Sequence, residues 1–285
     1  MSDPLSPLPL SYEVKGEGPP LLLLHGFPQT RIIWEDIAQR LSSQFTLVMP
    51  DLRGYGASPK PATDDQHLTY SKRAMGNDLA ALMAQLGFES YGVVGHDRGG
   101  RVAHRLSMDH AQHVNQLMTL DISPTLSMYE QTTMKFAAGY WHWFFLIQDA
   151  PLPETMIGQD PLFFMDQFMV KRYPGRHIFA PHRWQQYLAG LQDPACLHAM
   201  CEDYRASVGV DLAHDHADRT AGQQLTMPLR VLWGQHGMIQ KCFDPIADWK
   251  AVATDVSGRA LDGGHYLPEE CAVEVAQEIE QFFGR

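Results

Sequence analysis

Five short apolar runs constrain the fold of this chain more than any other feature. They lie at Pro20–Leu24 and at residues 45–49, 91–94, 117–120 and 229–233. Most are continuous rather than alternating, the pattern of strands buried on both faces. Between them lie stretches with helical spacing. Residues 32–41 bring Ile33, Ile37 and Leu41 onto one face, 71–86 and 100–109 are helix-like, and 272–283 carry Val275, Ile279 and Phe282. Strand alternating with helix predicts an α/β fold on a parallel sheet covered on both faces.

The alternation is interrupted once. From about residue 126 to about 223 the chain is rich in aromatics, Met and Pro, with helical patterning and no clear buried strand. The run at 228–233 then restarts the sheet. This predicts a core of residues 1–125 and 223–285 and a helical insertion at 126–222. Such an insertion sits as a lid over the carboxyl edge of the sheet, where α/β proteins bind ligands. No internal repeat or low-complexity segment is evident.

The chain has 285 residues and is 45% hydrophobic, enough for one large domain with a full core. Its net charge of −11 argues against a nucleic-acid partner, which needs clustered Lys and Arg. Cys196, Cys201, Cys242 and Cys271 form no C-x-x-C pair and read as free thiols in a reducing compartment. The first residues show no basic n-region, and no apolar run is long enough to span a bilayer. The expectation is a soluble, cytoplasmic protein with no membrane contact.

Residues 95–101 read GHDRGGR, between a strand end at Val93-Val94 and a helix from Gly100. Gly95-x-Asp97-x-Gly99 matches the small-x-nucleophile-x-small pattern of a nucleophile elbow, with Asp where hydrolases often carry Ser. The tight turn lifts the side chain to the top of the sheet, at a helix N-terminus that favours an anion. A triad then needs an acid and a histidine downstream. Among 14 histidines, His265 stands out in Leu261-Asp-Gly-Gly-His265, after a short strand and before the last helix. The usual acid position, after the strand that follows the insertion, reads Trp233-Gly-Gln-His-Gly237 and has no carboxylate. Asp121, closing Leu117-Met-Thr-Leu-Asp121, is the better candidate, with Asp244 as the alternative. The oxyanion donors are assigned to the backbone N–H groups of Arg98 and Phe27, since Pro28 has none.

HGFPQTRIIW (25–34), DLRGYGASPKP (51–61) and GHDRGGR (95–101) resemble the haloacetate (fluoroacetate) dehalogenase branch of the α/β-hydrolase fold superfamily. YWHWFFL (140–146) and CEDYRA (201–206) are similar to that branch's lid motifs. The resemblance implies an α/β-hydrolase fold, a mostly parallel sheet flanked by helices with an inserted helical cap. It implies hydrolysis of small 2-haloacids such as fluoroacetate or chloroacetate to glycolate and halide. It assigns halide binding to His142, Trp143 and Tyr204, and suggests a homodimer contacting through the lid. Without it, residues 141–143 would read as a lid-helix aromatic cluster, and Trp141 is expected in the core.

The chemistry suits the residues. Asp attack on saturated carbon leaves an alkyl ester that water hydrolyses, so no cofactor is required. Arg98 and Arg101 share one face of a first helical turn, where two cations oppose the dipole. That implies an anionic partner, either a substrate carboxylate or, for one of them, a lid carboxylate such as Asp203 or Glu202. His110 with His113, and His214 with His216 and Asp218, lack the rest of a metal site, so no metal is expected. Two departures from the family are evident. A lid Trp is replaced within residues 167–175 (QFMVKRYPG), and Tyr266-Leu-Pro268 differs from the usual aromatic pair. Trp34 and Tyr55 either line the pocket or pack. Three rival readings stand beside this one. An epoxide hydrolase would use the same triad with lid tyrosines, Tyr204 with Tyr140 or Tyr187, but Arg98 beside the nucleophile fits it poorly. An ester hydrolase is disfavoured, because Asp attack on an ester carbonyl gives an anhydride. A non-catalytic ligand-binding relative is disfavoured by the complete triad.

Overall fold

A computed structural model describes residues 3–171 and 174–284. Seven strands form one sheet: β1 (Tyr12–Lys15), β2 (Pro20–Leu24), β3 (Thr46–Pro50), β4 (Tyr91–His96), β5 (Val114–Leu120), β6 (Leu229–Gly234) and β7 (Val256–Leu261). Their order is β1-β3-β2-β4-β5-β6-β7, with β1 antiparallel to β3 and every other neighbour parallel. β1 carries no apolar run in the sequence. Its residues, Tyr-Glu-Val-Lys, are largely exposed at the sheet edge, unlike those of the inner strands.

The continuous runs have a simple cause. Successive side chains on a strand point to opposite faces. Leu21 and Leu23 enter one core with Leu47, Met49 and Val94, while Leu22 and Leu24 enter the other with Val48 and Val93. Each fully buried leucine contributes roughly 1.5–3 kcal/mol. Helices α1 (Glu35–Leu41), α2 (Lys72–Gln85) and α3 (Arg98–Asp109) lie among the first five strands.

Between β5 and β6 the chain is helical: α4 (Thr125–Glu130), α5 (Met134–Gly139), α6 (Trp141–Leu146), α7 (Leu152–Gln159), α8 (Pro161–Met165), α9 (Pro181–Gln192), α10 (Pro194–Ala206) and α11 (Leu212–Thr220). Asp160 and Asp193 cap α8 and α10, accepting from Phe163 N (2.9 Å) and Ala195 N (3.0 Å), with Pro at the next position of each. A π-helical stretch, Ser207–Asp211, follows α10. Trp141 departs from expectation: it is 37% exposed, because α6 turns His142, Trp143 and Leu146 inward and leaves Trp141 at the rim. The chain closes with α12 (Met238–Cys242), α13 (Pro245–Lys250), α14 (Leu267–Glu270) and α15 (Ala272–Phe283). Among the described residues, no helix is long and apolar enough to cross a membrane.

Candidate active site

The turn from β4 into α3 forces Asp97 to φ 48°, ψ −117°. A non-glycine residue there stores on the order of 1–3 kcal/mol of strain. Close approach maintains it. A Cβ on Gly99 would lie 2.3 Å from the carbonyl oxygen of His25, and one on Gly26 would lie 2.5 Å from Asp97 Cβ. The loop after β2 therefore presses directly on the aspartate. Phe27 N–H donates to Asp97 Oδ1 at 3.0 Å. Arg98 N–H begins α3 and has no intrahelical acceptor.

Asp121, from the end of the neighbouring β5, and His265, from the loop after the edge strand β7, meet Asp97. His265 Nδ1 lies 2.6 Å from Asp121 Oδ2, and its Nε2 lies 3.6 Å from Asp97 Oδ2. Gly234 N–H donates to Asp121 Oδ1 at 3.0 Å, orienting the acid. Asp244 instead caps α13 through Ala247 N at 3.0 Å, well occupied elsewhere. The His265 loop is gripped from both sides, an arrangement with no visible sequence signal. Glu270 accepts from Gly264 N (2.5 Å) and Tyr266 N (2.7 Å), and His96 Nε2 donates to the His265 carbonyl at 2.7 Å. Burial holds His96 down at about 3, so it is a neutral donor.

Burial lowers the proton affinity of His265, but hydrogen bonds to Asp121 and Asp97, with their charges, outweigh it and push His265 up to about 9. Burial opposes ionisation of Asp97 in turn. The His265 bond and charge, with His96 and Arg98, overcome it and hold Asp97 well below the carboxylate range. The resting pair is thus carboxylate and imidazolium.

The two arginines are buried and differ in their partners. Arg98 Nε donates to Asp203 Oδ2 (3.0 Å) and Nη2 to Asp203 Oδ1 (2.7 Å), while Nη1 has no partner. The lid-carboxylate alternative thus applies to Arg98, through Asp203; Glu202 pairs with Arg205 at 2.7 Å. Arg101 donates to Thr125 Oγ1 at 2.9 Å and contacts Met128 Sδ at 3.1 Å; its Nε is bare. No carboxylate pairs with Arg101 among the described residues, and burial and then the Arg98 charge lower its pKa.

His142, Trp143 and Tyr204 gather over this pair. Tyr204 lies under Arg98 (4.1 Å to its centroid) and Trp143 under Arg101 (4.5 Å). His142 and Tyr204 both pack near Phe27, at 6.4 and 5.3 Å. Trp143 Nε1 is buried without a partner. Phe168, from the stretch where the family's lid Trp is absent, packs on His142 at 4.5 Å; Arg172 and Tyr173 of that stretch lie outside the described residues. Tyr140, weighed only as a proton donor to an epoxide, brings its hydroxyl 3.4 Å from His265 Nδ1. Tyr187 is engaged elsewhere, donating to Glu269 at 3.1 Å. Trp34 packs in the core beneath the sheet, and Tyr55 donates to Asp203 at 2.7 Å. A cavity of about 260 Å³ reaches Tyr140 and His265 from the surface. A larger cleft of about 590 Å³, beside Arg31 and Asp51, contains no triad residue. Among the described residues, no cluster of three metal-ligating side chains occurs.

The alpha/beta hydrolase fold profile matches residues 19–171. A fluoroacetate dehalogenase from Burkholderia sp. is 40% identical over 94% of this chain and 88% of its own. A soluble epoxide hydrolase from a Corynebacterium species is 30% identical over 96% of this chain and 93% of its own. A solved structure from Nostoc sp. PCC 7120, provisionally described as an alpha/beta hydrolase, superposes with TM-score 0.94 at 46% identity, over 96% of this chain and 94% of its own. With an aspartate at its elbow and full-length similarity of this kind, the chain belongs to the alpha/beta hydrolase fold family, in the branch that contains fluoroacetate dehalogenase.

Proposed function

We propose that this protein is a haloacetate dehalogenase, converting fluoroacetate or chloroacetate and water into glycolate and halide. One observation carries the reading: beside an ionised aspartate at the elbow, two buried guanidinium groups, Arg98 and Arg101, keep N–H atoms without acceptors. A small carboxylate would satisfy both.

Asp97 Oδ1 is already seated on Phe27 N–H, so Oδ2 attacks the halogen-bearing carbon. The carbon–halogen bond breaks with its electron pair on the halide, and an alkyl ester forms. His142, Trp143 and Tyr204 supply donors for the departing anion. Esterification removes the Asp97 charge, one of the two that raise His265, so the imidazolium releases its Nε2 proton to solvent, the one proton set free per turnover, and Nε2 becomes the base. Water attacks the ester carbonyl and gives its proton to His265, while Asp121 stabilises the imidazolium. Oδ1 becomes the oxyanion, held by Phe27 and Arg98 N–H. Collapse expels the glycolate alkoxide, which takes the proton from His265. The Asp97 carboxyl then passes its proton to His265, which restores the resting carboxylate–imidazolium pair, and the cycle needs no cofactor.

In this reading residues 126–222 are a cap that excludes water from the core formed by 1–125 and 223–285. Exposed Leu152, Met156, Leu162 and Phe163 on the cap suit a homodimer contact. The four free cysteines suit a reducing, cytoplasmic setting. A second reading, epoxide hydrolysis, is favoured by Tyr140 and Tyr204, which flank His142 at 5.3 and 6.0 Å. It leaves the bare guanidinium atoms unexplained. Halide release from fluoroacetate and chloroacetate, against an Asp97→Asn control, tests the choice. Epoxide turnover with no halide above the control would sink the dehalogenase reading.

A further inference from the structure

The cations around Arg98 are counted out by carboxylates, and the count depends on one cap residue. Asp203, on α10, accepts from Arg98 Nε and Nη2, from Tyr55 Oη at 2.7 Å, and from Lys72 Nζ. Lys72 is also held by Asp211, which takes its backbone N–H at 2.8 Å and its Nζ at 3.2 Å. The π-helical stretch Ser207–Asp211 makes this possible. It turns Ser207 Oγ to Arg98 Nη2 at 2.5 Å and carries Asp211 to Lys72. All five side chains, Arg98, Lys72, Asp203, Ser207 and Asp211, are buried. Two cations thus meet two carboxylates, and the group is neutral. Arg101 is left as the cation with no paired carboxylate among the described residues, and Asp97 is the carboxylate whose charge acts on it.

We infer that Asp203 is a specificity-determining residue: by neutralising Arg98 it limits the site to a single unanswered cation, and so to ligands carrying one carboxylate. Arg98 then contributes one directed N–H, Nη1, rather than net charge. A second negative charge on the ligand would lie beside Asp97, and the one cation there, His265, is already shared between Asp97 and Asp121, so the added charge is unfavourable in a buried site. Arg98 itself stays orientated, because four of its hydrogen bonds go to Asp203 and Ser207. This rests on the reading of Arg98 and Arg101 as a carboxylate seat, and it concerns how many charges that seat accepts.

Acetate and oxalate test it as inert probes, since oxalate replaces the methyl group by a second carboxylate at similar size. Calorimetric affinities of both are measured at neutral pH for the wild type, Asp203→Asn, Asp203→Glu and Lys72→Met. The ratio of oxalate to acetate affinity is the readout, because simple loosening of the site weakens both probes together. Asp203→Asn adds one net positive charge and should raise the ratio by about tenfold or more. Asp203→Glu keeps the charge and should leave the ratio within about threefold of wild type, whatever the absolute affinities. Lys72→Met removes a cation and should lower the ratio, so the inference remains testable if the Asn variant does not fold. An unchanged ratio in both Asp203→Asn and Lys72→Met overturns it. A wild type that binds neither probe overturns the carboxylate seat and this inference with it. A wild type that binds acetate yet releases no halide from haloacetates overturns the dehalogenase reading alone.

Discussion

The guanidinium carbon of Arg101 sits 4.5 Å from the centre of the Trp143 ring, a buried cation stacked on an aromatic face with its Nε bare. Burying such a charge without a carboxylate is costly, and the π contact returns only part of that cost. Arg101→Met keeps the stem and removes the charge. Its thermal midpoint should be equal to or above that of the wild type, while kcat/KM for haloacetate falls by about 100-fold or more. Thermal melts and halide assays on one preparation read both signs. A destabilised but active variant would contradict the assignment.

The covalent intermediate should be trappable. Without Nε2 at His265, the ester forms and persists, so His265→Gln mixed with fluoroacetate should gain about 58 Da on the intact chain. Peptide mapping should locate the added mass at Asp97. No such species should appear in Asp97→Asn.

His265 carries a pH dependence whose sign is set by its raised proton affinity. Its ordinary value is 6.5 and its value in the folded protein about 9. The folded state therefore holds this proton more tightly than the unfolded chain does. The stabilisation is complete below 6.5 and is lost as pH rises through about 9, by roughly 3 kcal/mol. Urea unfolding at pH 6 and pH 9.5 should show the fall, and Asp97→Asn should shrink it.

Gly26→Ala tests the geometry of the nucleophile turn. The new Cβ would sit 2.5 Å from Asp97 Cβ and 2.7 Å from its Oδ1, the oxygen that receives Phe27 N–H. Asp97 must move, and halide release should drop by about 100-fold or more while the helical circular dichroism persists. Wild-type turnover in this variant would mean that the loop is softer than its contacts imply.

Two carboxylates compete for the acid role, and mutation should separate them. Asp121→Asn should lower turnover by about a thousandfold or more, since the imidazolium loses its partner. Asp244→Ala should cost about 1 kcal/mol of stability through the lost helix cap and leave halide release unchanged.

The elbow was legible because a glycine-bracketed turn between strand and helix is a local pattern, and Gly95-x-Asp97-x-Gly99 contains all of it. The inner strands were legible because Leu21 to Leu24 feed two cores at once and so cannot alternate. Edge strand β1 was not, since Tyr12 to Lys15 need be apolar on neither side. Nothing in residues 141–143 separates Trp141 from Trp143, and only the packing of α6 tells which aromatic faces out. The pairing of Arg98 with Asp203 spans 105 residues, and one local motif could suggest a carboxylate without choosing between Glu202 and Asp203. The grip of Glu270 on the His265 loop left no pattern at all, because a carboxylate bound to backbone N–H groups looks like any other glutamate.

Asp97 follows β4, Asp121 follows β5, and His265 follows β7 at the far edge, with 144 residues separating the acid from the base. A catalytic centre assembled this way has no partial form. During refolding, the loops around it close late, after the long excursion through the helical segment and the docking of the final strand. Recovery of turnover is therefore a reporter of the last non-local contacts to form. It should lag the return of secondary structure, which needs only neighbouring residues.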